Sequence, residues 1–240
     1  MEIIGLEEVD STNTYAKQNI DKLADGTVIH ARRQTSGRGR LNRTWIDLGE
    51  GNLFMTIVLK PSETFIESYS NITQYFSVTL SKVLERYGVK PQIKWPNDVL
   101  INGKKIAGIL SETIVQGQKL KGIVVGIGVN LNSTQKQLDE IQNKVAASLN
   151  IELNKNIDVT EFRSQLTEEF FNNYKKFLDN GFEYIKEDYI KRNCFLGKSI
   201  SVMVFDKTEH GIADAINDKG ELILLKQNNK KSVLTIGDIL

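Results

Sequence analysis

Cysteine is almost missing from this chain. The single thiol, Cys194, excludes an intramolecular disulfide and any metal site built on several thiolates. Histidine is nearly as scarce, and His30 and His210 lie too far apart to show metal-ligand spacing. A dominant sign of charge is also lacking. The net charge is +1, so the molecule as a whole has no electrostatic reason to seek nucleic acid or a membrane surface. No apolar run approaches the ~18 residues that a membrane helix needs. The acidic N-terminal stretch "MEIIGLEEVDST" lacks the apolar core of a signal peptide. Together these absences predict a cytoplasmic protein with no membrane association. What is present is ordinary for a soluble globular chain: 40% hydrophobic and 25% charged residues. A length of 240 residues is enough for one substantial domain, or for one with a small appendage.

No internal repeat or low-complexity tract interrupts the chain. In "DSTNTYAKQNI", Asp10 or Ser11 can cap a helix beginning near Thr12. "GTVIHARRQT" reads as a strand, and "GNLFMTIVLKP" as a strand buried on both faces. Residues Phe65, Tyr69, Ile72, Phe76, Leu80 and Leu84 fall at helical spacing and predict one long core helix ending at Gly88. Asn102-Gly103 between two apolar runs predicts a hairpin, and a second hairpin should turn near Gln116-Gly117. Residues 135–149 and 159–193 are expected to be helical. After Cys194 the helical period is lost. Turn residues at Asp206-Lys207, Asp218-Lys219-Gly220 and Asn228-Asn229 predict a small β domain. The fold class expected is α+β, divided into residues 1–194 and 195–240.

Against this even composition, one segment stands out. "RRQTSGRGRLNRTW", from Arg32 to Trp45, holds five arginines and two glycines and no acid. Gly37 and Gly39 permit close backbone approach to a ligand and backbone angles closed to other residues. Arg38 and Arg40 alternate with them, and guanidinium binds phosphate through paired, charge-assisted hydrogen bonds. A free loop of this kind would be mobile, and a ligand of several negative charges could order it. The chemistry points to a phosphate-binding loop that closes over its ligand. The alternatives are a solvated basic loop and a single-stranded nucleic-acid contact. A wider basic face would favour the last, and the net charge argues against one.

Three further stretches accompany the loop. "KWPND", Lys94 to Asp98, lies at a strand end where active sites commonly collect. Lys104 and Lys105 follow the Asn-Gly turn, and "GIGVN" (Gly126 to Asn130) places two glycines near the end of a strand.

Taken together, "STN" at Ser11 to Asn13, "QTSGRGRLNRTW", "KWPNDV", "GKKIAGILSE" and "GIGVN" occur in the order and approximate spacing of the biotin protein ligases, which this sequence resembles from about residue 5 to its end. The resemblance implies a mixed-sheet catalytic domain of the biotin/lipoate ligase type, followed by a small SH3-like β-barrel. It implies that biotin and ATP give biotinyl-5′-AMP and pyrophosphate, with Mg²⁺ as the metal, and that biotin then passes to a lysine of a biotin carboxyl carrier protein. Matched by position, Ser11, Thr12, Asn13, Gln34 and Gly108 hold biotin, and Gly37, Arg38, Gly39 and Arg40 form the covering loop. Lys105 lies near the biotin carboxylate and α-phosphate, Trp45 against adenine, Asn97 and Asp98 beside the phosphates and metal, and Asn130 at the adenine end. Arg40, Lys105 and Asp98 are then the residues expected to act in catalysis, with Asp98 also the candidate Mg²⁺ contact.

The same residue types also suit plainer roles: a helix cap for Ser11, a core ring for Trp45, a solvated hairpin lysine for Lys105. Asn42 stands where the family loop often has glycine. "STN" begins at residue 11, so the resemblance is to the ligase-only form, without sequence-specific DNA binding. It leaves open whether two copies pair as a homodimer. Lipoate protein ligases share the catalytic fold and the acyl-adenylate chemistry. Their arginine-glycine loop has a different pattern, which is not found here.

Overall fold

The structure is a computed structural model that describes residues 2–41, 43–61, 67–117, 119–141 and 145–240. In chain order the first elements are β1 (Ile3–Val9), α1 (Thr12–Gln18), β2 (Val28–Gln34) and β3 (Leu53–Leu59). A 3₁₀ turn at Glu67–Asn71 leads into α2 (Ile72–Arg86), then β4 (Pro91–Lys94), β5 (Asp98–Ile101), β6 (Lys104–Gln116) and β7 (Lys119–Val129). Four helices follow: α3 (Gln135–Asp139), α4 (Leu149–Leu153), α5 (Val159–Asn180) and α6 (Glu183–Lys191). The chain ends in β8 (Ser199–Val204), β9 (Lys207–Ile216), β10 (Leu222–Leu225), β11 (Lys231–Leu234) and β12 (Asp238–Ile239). It divides into two compact units. One is Met1–Ile66 with Lys104–Thr167, and the other is Glu67–Gly103 with Glu168–Leu240.

The first unit is built on strands in the order β1-β2-β3-β7-β6. β1 runs parallel to β2, and the remaining pairs are antiparallel, so the sheet is mixed. Every residue of β3 is buried, as its unbroken apolar run predicts for a strand covered on both faces. Side chains alternate across the sheet, so Phe54, Thr56 and Val58 share one face, while Met55 turns to the other and lies against Thr167 of α5. Ala16 and Ile20 of the α1 segment, with Leu23, pack on Ile29, Val58 and Val124. That apolar plug covers one end of the first face. At α4 the same unit's Leu149 is fully buried.

In the second unit β4 and β5 form a hairpin in the register Pro91↔Ile101 to Lys94↔Asp98. Tyr75 of α2 stacks on Phe177 of α5 at 4.3 Å between ring centres, and Phe170 meets both Tyr75 and Phe76 edge-on. The C-terminal strands form an antiparallel sheet in the order β11-β10-β9-β8-β12, open at β11 and β12 among the described residues. Its turn at Gly220 is held by buried donors: Trp95 Nε1–H and Gln74 Nε2–H both give to the Gly220 carbonyl, at 3.2 and 2.7 Å. Among the described residues no helix is long and apolar enough to cross a membrane.

Several expectations need correction. The long core helix begins with the 3₁₀ turn at Glu67, and Phe65 lies outside the described residues. Residues 135–149 are not one helix. A capping box at Thr134 starts α3, but Lys105 N–H gives to Val145 O and Ala147 N–H to Lys105 O, so that stretch is extended. Backbone pairing with a strand outweighs modest helical propensity there. Residues 159–193 break after Asn180, because Gly181 takes a φ of +61° that ends one helix before the next begins. The β8–β9 turn centres on Phe205-Asp206, one residue earlier than expected. The Asn102-Gly103 turn has both residues at positive φ, as its sequence predicts.

Candidate active site

The candidate site lies on the first unit, on the sheet face that carries Phe54, Thr56 and Val58. Cross-strand register places Gly128 beside Phe54 and Gly126 beside Thr56 on β7, and Gly108 beside Gly128 on β6. Three glycines on one face leave a trough with no side chains. Two groups fill it. The Asn13 amide sits over Gly126, where a Cβ would come within 2.8 Å of its Cγ. The Trp45 indole lies over Gly108 and Gly128, where Cβ atoms would come within 3.0 Å of Cζ3 and 2.6 Å of Nε1 respectively. Gly126 and Gly128 in "GIGVN" thus serve close approach by side chains, which is the use that Cβ-less strand positions offer.

Trp45 arrives on the arginine segment, which is a hairpin. Arg38 pairs with Thr44, Gly39 N–H gives to Arg43 O at 2.8 Å, and Trp45 N–H gives to Gly37 O at 3.0 Å. Gly37 and Gly39 do not take positive φ, contrary to one expected use of these glycines. Gly37 is required because a Cβ there would overlap the Trp45 carbonyl oxygen. The left-handed residue is Leu41, at φ +51°, and Asn42 lies outside the described residues. Lys105 Nζ stands 5.6 Å from the centre of the Trp45 ring, in reach of a cation–π contact. The indole Nε1–H is buried with no hydrogen-bond partner among the described residues, a cost of roughly 1–3 kcal/mol.

The arginines divide by role. Arg32 pairs with Glu7 and Glu50, and Arg33 with Asp47, on the exposed side of β2. Arg38 turns instead to Glu112 of β6, at 2.9 Å. Glu112 also receives Lys17 Nζ at 2.8 Å and Asn13 Nδ2 at 3.0 Å. Burial alone would raise its pKa, but the hydrogen bonds from Lys17 and Asn13 and the nearby charges outweigh that and hold it below the ordinary carboxylate value. One carboxylate thereby ties the arginine hairpin to the N-terminus of α1.

The α1 end carries the polar core of the site. Ser11 is the N-cap by position, but its hydroxyl makes no capping bond, contrary to the sequence expectation. Gln34 of β2 satisfies the helix end instead, its Oε1 accepting from Thr12 N–H at 2.8 Å. Thr56 Oγ1 lies 2.8 Å from Thr12 Oγ1 and 2.7 Å from Asn13 Oδ1. Ser11, Thr12, Asn13 and Gln34 are all buried. Asn130 is buried and spends its amide N–H on Ala147 O at 3.0 Å, holding the segment that pairs with Lys105. The structure therefore brings Ser11, Thr12, Asn13, Gln34, Gly37, Arg38, Gly39, Trp45, Lys105 and Gly108 onto one face and hairpin of the first unit. Arg40 lies in the hairpin tip, where its carbonyl accepts from Arg43 N–H. Asn97 and Asp98 belong to the second unit, Asn97 buried before β5 and Asp98 its first residue.

Thr56 and Glu112 are site residues that motif reading passes over. Their signal was a lone hydroxyl in an apolar strand and an acid within "AGILSE". Among the described residues no group of three or more His, Cys, Asp or Glu converges to hold a metal.

The sequence model of the biotin/lipoate A/B protein ligase family matches residues 5–130. A biotin–[acetyl-CoA-carboxylase] ligase of Paracoccus denitrificans is 32% identical over 226 residues, covering 91% of this chain and 92% of its own length. A bifunctional ligase/repressor of Bacillus subtilis is 29% identical over 210 residues, and there the match covers 87% of this chain and 64% of the relative. Among solved structures, biotin protein ligase from Aquifex aeolicus in complex with biotin and ATP aligns with a TM-score of 0.84 at 28% identity, covering 100% of this chain and 97% of that one. The chain belongs to the biotin/lipoate A/B protein ligase family.

Proposed function

We propose that the protein is an ATP-dependent biotin protein ligase, with residues 1–194 as the ligase domain and 195–240 as a small β domain. The observation that carries this reading is the glycine trough of β6 and β7, with a polar wall of Thr12 and Gln34 at one end and the hairpin-borne Trp45 at the other. The Paracoccus and Aquifex relatives, matched along nearly their whole length, support the same activity.

The biotin carboxylate attacks the α-phosphorus of ATP. A C–O–P anhydride forms, the bond to the β-phosphate oxygen breaks, and pyrophosphate leaves. Two anions must meet, so cations are needed more than a protein nucleophile. Arg40 and Lys105 supply positive charge, and Arg38, held by Glu112, anchors the hairpin. Trp45 offers its face to adenine. Asp98 is the residue that would hold a Mg²⁺ ion, which would supply further neutralisation of negative charge. The covering hairpin keeps water from the anhydride. In the second half-reaction the ε-amine of an acceptor lysine on a biotin carboxyl carrier protein attacks the acyl carbon, and AMP departs. Catalysis is then mostly positioning and electrostatics.

ATP–pyrophosphate exchange tests the substrate. Exchange that requires biotin supports the reading, and exchange with lipoate but not biotin overturns it.

A further inference from the structure

Thr56 is the only polar residue in the buried strand "LFMTIVL", and it is wholly inaccessible. Valine has the same shape and would avoid the cost of burying a hydroxyl. We propose that Thr56 is a positioning residue that sets the hydrogen-bond polarity of Thr12, and so the preference of the site for a ligand edge presenting an N–H. The inference rests on the biotin reading above.

Proton bookkeeping carries it. Asn13 Nδ2 gives to Leu110 O at 3.2 Å and to the Glu112 carboxylate at 3.0 Å, and both of these groups only accept. That identifies the other amide atom of Asn13 as the oxygen facing Thr56. Oδ1 has no proton, so Thr56 must donate to it, at 2.7 Å. The single hydroxyl proton of Thr56 is then committed. Thr12 Oγ1, 2.8 Å away, can only donate to Thr56, or to Gln34 Oε1 at 3.2 Å. Either way the Thr12 proton is used inside the protein, and its lone pairs are what remain for a ligand. Gln34 is ordered in the same manner. Its Oε1 accepts from Thr12 N–H, which leaves its Nε2 donors on the side of Gly37, 3.2 Å from where a Cβ at 37 would stand. The wall thus presents an acceptor beside a donor, the complement of an N–H beside a C=O in a cyclic urea. The chain of orientation runs from the Glu112 carboxylate through Asn13 and Thr56 to Thr12. The missing side chain at Gly126 gives the Asn13 amide its place in that chain.

The test is steady-state adenylate formation by Thr56→Val and Thr56→Ser, varying biotin and ATP separately. Without the Thr56 hydroxyl, the Thr12 proton keeps only the longer 3.2 Å contact to Gln34 Oε1, an atom already accepting from Thr12 N–H, and is freed to turn toward the ligand. The KM for biotin should rise about tenfold in Thr56→Val, the worth of one net hydrogen bond, with KM for ATP within about twofold. Thr56→Ser, which keeps the hydroxyl, should restore it. A biotin analogue with the ring N–H replaced by oxygen should be rejected strongly by the wild type and less so by Thr56→Val. A merely structural role would lower melting temperature and active fraction and leave the KM for biotin unmoved. Should the valine variant not fold, Thr56→Ala is read in the same way. A KM for biotin within twofold of wild type in the hydroxyl-free variant overturns the role of Thr56. A wild-type protein that makes no biotinyl adenylate overturns the reading beneath it instead.

Discussion

Replacing Gly128 by alanine adds one methyl group to the floor of the trough. The backbone accepts it, because Gly128 does not take a positive φ, and alanine in a strand interior gains roughly 0.5–1 kcal/mol over glycine. The cost lies in the ring above. The new Cβ would stand 2.6 Å from Trp45 Nε1 and 2.8 Å from Cζ2, against an ordinary contact of about 3.5 Å. β7 cannot yield, since it is paired on both sides with β3 and β6. The indole must therefore lift by about 1 Å or swing out with its hairpin. Overpacking of this kind costs about 1–3 kcal/mol, so the net loss of stability after the strand gain is on the order of 1 kcal/mol. The functional effect is larger. If Trp45 stacks on adenine, losing that stack costs about 1–3 kcal/mol, or a rise of about 5- to 150-fold in KM for ATP. Pyrophosphate exchange measures the KM. Tryptophan emission reports the ring, because Trp95, 2% exposed, supplies a constant background. An unchanged emission maximum together with a KM for ATP within twofold of wild type would refute the packing of Trp45 on Gly128 as the basis of the adenine site.

Three other outcomes follow from the same structure. Arg40→Ala and Lys105→Ala should each lower adenylate synthesis by ~10²–10³ with the fold intact by circular dichroism; near-normal rates in both would remove them from the mechanism. Glu112 has a depressed folded pKa, so its contribution to stability is present above its unfolded value and lost as pH falls through the folded one. Acid titration should therefore destabilise the wild type below about pH 4.5 more than Glu112→Gln, and parallel curves would contradict the ion-pair cluster. Gly220→Ala should lower the melting temperature, because φ is +77° and a Cβ would lie 2.7 Å from Gln74 Oε1 and 2.9 Å from Phe182 Cδ2. An unchanged melting temperature would contradict the clamp on that turn.

Legibility in the sequence followed the range of the forces. β3 could be read because burial on both faces demands an unbroken apolar run, and the Asn102-Gly103 turn because both residues tolerate positive φ. Of the helical stripe expected at Val159, Phe162, Leu166, Phe170, Tyr174 and Phe177, the four members Phe162, Leu166, Phe170 and Phe177 are buried and Val159 and Tyr174 half-buried, and Gly181 ends α5 where periodicity alone ran on. The extended run at Val145–Ala147 was illegible because its partner is the backbone of Lys105, and backbone pairing leaves no mark on side-chain pattern. In the site, the arginine loop and Trp45 announced themselves by composition. The partners that orient them did not. Glu112 is a common residue in a common setting, and only the fold shows that it gathers Lys17, Asn13 and Arg38. Gln34 capping α1 in place of Ser11 is a contact across 22 positions, beyond any local cap rule.

The central claim is that this face builds and shields a biotinyl phosphate anhydride. The most direct measurement incubates the purified protein with Mg-ATP and biotin, without any acceptor protein, and looks by mass spectrometry for biotinyl-5′-AMP retained on the protein. Retained adenylate, lost in Arg40→Ala, is the predicted result. A folded protein that returns only unreacted biotin and ATP would contradict the account.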